Sequence, residues 1–117
     1  MSRQPLFPFT LLALSVGCAR APDADLQYIK QARSIAAEWA LVNEQGHAGQ
    51  LTGTYVAVMH DWLHDGLLTV STSLSQPNSR YGVEIRALLA APPDAPPAIL
   101  RSHGEVLKRI EDALESA

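Results

Sequence analysis

Beyond position 25, apolar residues recur every three or four positions, a period that fits one face of an α-helix and not a strand. Tyr28, Ala32, Ile35, Trp39 and Val42 follow at spacings of 4, 3, 4 and 3. They predict a helix over 25–45, roughly 30 Å long at 1.5 Å per residue. Asp23 or Asp25 is placed to cap its start, and Gly46 to end it. A second stripe, Val56, Met59, Leu63, Leu67, Val70 and Leu74, predicts a helix over 52–74. Tyr55 and Trp62 widen that face on one side. Gly66, Thr69, Ser71, Thr72 and Ser73 weaken its second half, because none is a strong helix former. Pro77 closes this segment, and Asn78 or Ser79 begins a short third helix over 79–90, with Tyr81, Ile85 and Leu88 on one face. A proline-rich loop over 91–97 follows. Asp94 is the expected cap of a fourth helix over 95–115, whose stripe is Leu100, Leu107, Ile110 and Leu114. Glu105 with Arg109 and Lys108 with Asp112 are spaced as i,i+4 ion pairs. The expected fold is all-α: a small antiparallel bundle of three to four helices occupying 25–117.

Composition agrees with one modest core. The chain has 117 residues, of which 47% are hydrophobic, with a net charge of -3 and a single cysteine. Those values exclude a collagen, a disulfide-stapled scaffold and a disordered acidic tail. An acidic balance without basic clusters offers no nucleic-acid surface.

Residues 1–17 have a different character. One cation, Arg3, precedes an acid-free apolar run from Leu6 to Gly17, which is shorter than the roughly 20 residues of a spanning helix. This is the charged-then-apolar pattern of a secretory signal peptide. Cys18 follows at once and, being alone, cannot form an internal disulfide. Leu14-Ser15-Val16-Gly17-Cys18 resembles the lipobox of bacterial lipoproteins, with Ser15 where that family usually carries Leu. The resemblance implies cleavage before Cys18, acylation of its sulfur and amine, and a membrane anchor. Ala19 after the cysteine implies retention at the outer membrane, on the periplasmic side of the envelope. Residues 18–24 would then be a tether. The alternative is a soluble periplasmic or secreted protein cut after Ala19-Arg20-Ala21.

The sharpest side-chain constellation is His60-Asp61-Trp62-Leu63-His64-Asp65. Two histidines four apart on a helix lie one turn above each other, so both imidazoles reach toward one metal ion. The string resembles the HExxH of zinc peptidases, in which both histidines are ligands and the glutamate is the general base. Asp61 is one methylene shorter than that glutamate, and spacing nominates no third ligand. The helical period puts His60 and His64 at the edge of the apolar stripe, where histidines commonly hydrogen-bond a neighbour or solvent. His103 falls within the fourth stripe and reads as a partly buried histidine with one hydrogen bond. His47 sits in a loop. Trp39 and Trp62 both read as core.

No nucleophile elbow, S-x-x-K, P-loop or dinucleotide fingerprint occurs in 18–117. No cofactor is expected and no catalysis is evident. The sequence points to an exported, lipid-anchored helical interaction or structural protein, with the membrane, an unknown protein partner or further copies of itself as partners. A periplasmic metal-binding protein using His60 and His64 is the competing expectation.

Overall fold

The computed structural model describes residues 21–117 as four α-helices, with no strand among them. They are α1 (Ala21–His47), α2 (Gly53–Ser73), α3 (Arg80–Leu89) and α4 (Pro97–Glu115). The all-α bundle read from the periodicity is the fold. The expected signal segment 1–17 and Cys18 lie outside the described residues. Residues 21–24, expected as part of a tether, belong to α1, which begins at Ala21.

α1 is the central helix. It packs most extensively along α4 and next along α2, while α3 lies against both α2 and α4. Lys30 near the start of α1 bonds Glu115 near the end of α4, and Glu44 near the end of α1 bonds Arg101 near the start of α4. The two helices therefore run antiparallel. With neighbours on two sides, α1 buries a wider face than the expected stripe. Ile29, Ala32, Ala36, Trp39, Ala40 and Val42 are buried, whereas Tyr28 and Ile35 are only partly so. The α1–α4 contact is a seam of small residues: a Cβ added at Gly104 would meet the Ala36 methyl at 3.7 Å. On the other helices the expected stripes are the core, with Leu63, Leu67, Val70, Tyr81, Ile85, Leu88, Leu100, Leu107 and Ile110 buried.

The helix ends follow local chemistry. α1 continues one residue past Gly46 and stops where Gly49 takes a φ of 76°. The Gln50 amide then reaches back to the Gln45 carbonyl at 2.9 Å and the Gly49 amide to the Gly46 carbonyl at 3.1 Å. This six-to-one and five-to-two pair is the Schellman arrangement, which needs a left-handed residue at that point. Thr52 caps α2 by accepting from the Tyr55 amide, and Ser79 caps α3 by accepting from the Gly82 amide. The Ser/Thr-rich second half of α2 stays helical. Its hydroxyls turn inward on their own helix: Thr69 donates to the Asp65 carbonyl, Thr72 to that of Leu68 and Ser73 to that of Thr69. The α4 cap lies two residues beyond the expected one: Pro96 is the N-cap and Pro97 opens the helix, while Asp94 lies in the preceding turn. Of the two expected i,i+4 pairs, Lys108–Asp112 forms at 3.0 Å, and Glu105–Arg109 is not among the ion pairs of the described residues.

Asp25 is not a cap but a buried clasp. Only 1% exposed, it accepts from the Ser75 amide at 2.8 Å, the Gln76 amide at 3.0 Å and the Tyr81 hydroxyl at 2.6 Å. It thus joins the start of α1 to the α2–α3 turn and to α3. Burial alone would push the carboxyl up, but the Ser75, Tyr81 and Gln76 hydrogen bonds outweigh it and hold Asp25 below its usual range. Burial and the hydrogen bond to Asp25 push the Tyr81 hydroxyl up to about 12. Next to the clasp, Gly82 lies so close to the same turn that a Cβ there would stand 2.1 Å from the Pro77 carbonyl oxygen.

A depressed Asp25 favours the fold above the ordinary carboxylate range, and that contribution disappears as pH falls through the folded value; a raised Tyr81 favours the fold below about pH 10, and that contribution fades toward pH 12. Urea midpoints should therefore fall below about pH 4 and above about pH 10. Asp25→Asn should cost about 3 kcal/mol at neutral pH and flatten the acid limb, because an amide nitrogen cannot accept from the turn. Gly82→Ala should cost about 2–3 kcal/mol in the same measurement, because backbone and not a flexible side chain must yield.

Candidate functional site

α2 presents two different flanks, one on each side of its buried stripe. The first carries the histidines. His60 Nε2 lies 2.7 Å from Asn43 Oδ1, across the α1–α2 contact. The Asn43 amide nitrogen donates to the carbonyls of Pro93 at 3.0 Å and Ala95 at 2.9 Å. Both amide hydrogens are thus committed, the oxygen must face His60, and His60 Nε2 is the donor. Trp39 adds a third tie by donating from its indole to the Pro93 carbonyl at 2.8 Å. This α1 pair holds the proline-rich loop in place, and the loop closes one wall of a 190 Å³ cleft lined by Trp39, His60, Asp61, His64, Leu89 and Pro93.

The structure brings His60 and His64 to one cleft, as their spacing requires, with His64 exposed and His60 half-buried. Among the described residues, no group of three His, Cys, Asp or Glu side chains is placed to hold a metal ion. His47 is exposed at the end of α1. His103 Nδ1 pairs with Glu84 on α3, which is the single hydrogen bond expected of it. Using His60 Nε2 as a ligand would break its bond to Asn43, which is only 2% exposed.

The second flank is apolar and open. Trp62 is 65% exposed, Val58 58% and Tyr55 48%. This corrects the expectation that Trp62 is core; only Trp39 is. The two tryptophans differ because Trp39 lies between α1 and the proline-rich loop, whereas Trp62 stands where α2 faces a stretch of α1 with short or polar side chains, Gln31 and Ser34. Two grooves of 390 and 240 Å³ lie on either side of Trp62, sharing Ile35 and Leu63 in their lining. Glu38 lines one and Asp65 the other. Among the described residues Glu38, Asp61 and Asp65 form no ion pair. Lys30, at the far end of the first groove, is already committed to Glu115 at 3.0 Å, and that bond raises its pKa above the usual value. The flank is apolar with an acidic, uncompensated rim.

The sequence reading gave Asp25 only a capping role and gave Asn43 and Glu111 none. Asp25 and Asn43 are in register with the buried face, since Asp25, Ile29, Ala32 and Ala36 follow at 4, 3 and 4, and Asn43 continues from Trp39. A polar residue in such a register is the available signal. Glu111, buried on α4 at i+4 from Leu107, is another, and it bonds Arg33 of α1.

His60→Ala is expected to cost about 1–2 kcal/mol in urea denaturation, by leaving Asn43 Oδ1 buried without a donor. His64→Ala should change stability by less than about 0.5 kcal/mol, since that ring is exposed.

No helix among the described residues is long and apolar enough to cross a membrane. Compared with known proteins, the chain matches no family model, no curated protein and no solved structure.

Proposed function

We propose that this chain is an exported helical interaction module of the bacterial envelope, tethered by lipid at Cys18, that engages a protein partner through the α1–α2 flank. The lipobox-like segment ending at Cys18 supports the tether. The single observation that carries the interaction reading is the exposure of Trp62 beside Val58 and Tyr55 on one helix face.

Isolated exposed apolar side chains are ordinary on protein surfaces, but a contiguous aromatic and aliphatic strip is not. Roughly 150 Å² of indole left in water corresponds to about 4 kcal/mol of burial free energy, enough for Trp62 alone to anchor an interface. Tryptophan and tyrosine are also the side chains that dominate binding energy when a partner covers them. The flank sits on rigid elements, with α1 fixed at both ends by the Asp25 clasp and the Asn43–Trp39 ties. A surface held in its bound shape loses little entropy on association.

The tether is tested by mass spectrometry of the N-terminus of protein purified from envelope fractions. The expected species begins at an acylated Cys18; an unmodified chain beginning at Met1 in the soluble cytoplasm would contradict it. The interaction face is tested in cells by a photo-crosslinking amino acid at position 58, with position 101 on the α4 side as the control. Adducts are expected from position 58 and not from position 101, and the reverse pattern would refute the assignment of the face.

A further inference from the structure

Resting on the interaction reading, the geometry points to the chemistry of the partner: we infer that the grooves astride Trp62 take a basic amphipathic helix. From Tyr55 to Thr69 the flank extends over fifteen residues of α2, about 20 Å along the helix axis. A partner helix of four turns covers that length. Trp62 divides the two grooves, and Ile35 and Leu63 line both, so apolar side chains one turn apart on a partner would seat on opposite sides of the indole. This is the spacing of helix-in-groove recognition.

The charges select among occupants. Glu38 lines one groove and Asp65 the other, and neither has a cation paired to it among the described residues. Lys30, the only cation among the described residues that line the two grooves, is engaged by Glu115. A second copy of this chain docked face to face would set these carboxylates against their own equivalents, because a two-fold interface places the same patch on both sides. An anionic membrane surface would be repelled in the same way. Lysine or arginine flanking the apolar stripe of a partner helix would complete both carboxylates. Each exposed pair contributes little, so the two together set a moderate preference for basic over acidic partners, on the order of tenfold.

The test uses the full-length chain and two synthetic 18-residue helical peptides with the same leucine stripe, one otherwise lysine and one otherwise glutamate. Calorimetry gives the affinities, and NMR follows the indole Nε1–H signals of Trp39 and Trp62. The Leu/Lys peptide should bind about tenfold more tightly than the Leu/Glu peptide and move the Trp62 indole signal while leaving that of Trp39 in place. The combined variant Glu38→Gln, Asp65→Asn should bring the two peptides to similar affinity. Trp62→Ser, an exposed site that leaves the core intact, should weaken both. Equal binding of the two peptides by the unmodified chain would overturn the inference. So would preferential binding of phosphatidylglycerol vesicles, or a dimer in ultracentrifugation that covers Trp62 before any peptide is added. If position 58 crosslinks a protein in cells while the peptides show no charge preference, the inference fails and the interaction reading stands; if position 58 yields no adduct, both fail.

Discussion

A carboxylate taken out of water is tolerated only when hydrogen-bond donors replace its hydration, and Asp25 meets that condition with three donors. Two are amides of the α2–α3 turn and one is the Tyr81 hydroxyl on α3. Satisfying the charge therefore fixes where α2 ends, how the turn folds and how α3 sits against α1. The close approach of Gly82 to Pro77 is part of the same arrangement, and Arg86 adds a bond to the Pro77 carbonyl. At the opposite end of α1, Asn43 and Trp39 do the equivalent for the proline-rich loop. The central helix is thus pinned at both ends by polar contacts, with an apolar core between them.

That scheme explains why the open flank lies where it does. Gly104 on α4 lies opposite the Ala36 methyl of α1, which lets these two helices approach closely, and Glu111 with Arg33 and Lys30 closes the seam. α2 packs on the neighbouring face of α1 by Leu63, Leu67 and Val70. No further helix covers the far side of α2 among the described residues, so Tyr55, Val58 and Trp62 face solvent. The exposed strip follows from the helix count and from the α4 choice of partner.

The four helices were legible because their periodicity is strong and their turns carry proline, glycine and capping residues. Their expected bounds differ from the structure by a few residues, most at the start of α1. Periodicity names the face that is buried, but not how many neighbours bury it. α1 has two, and half of its buried face is alanine, which adds little to an apolar pattern. For the same reason Asp25 read as a cap and Trp62 as core: a cap and a clasp call for the same side chain, and an amphipathic stripe does not show where its edge meets solvent. His60 and His64 were correctly grouped on one side of α2 by their spacing. The Asn43 bond that occupies His60 joins residues seventeen positions apart, and no local pattern reveals it.

Function, on this account, resides in a rigid acidic-rimmed apolar surface and not in a reactive cluster. Hydroxyl-radical footprinting with mass spectrometry, comparing intact cells with purified protein, addresses that claim most directly. Trp39 should be protected in both settings, while Tyr55 and Trp62 should be oxidised in the purified protein and protected in cells. Equal oxidation of Trp62 in both would contradict a face that works by being covered.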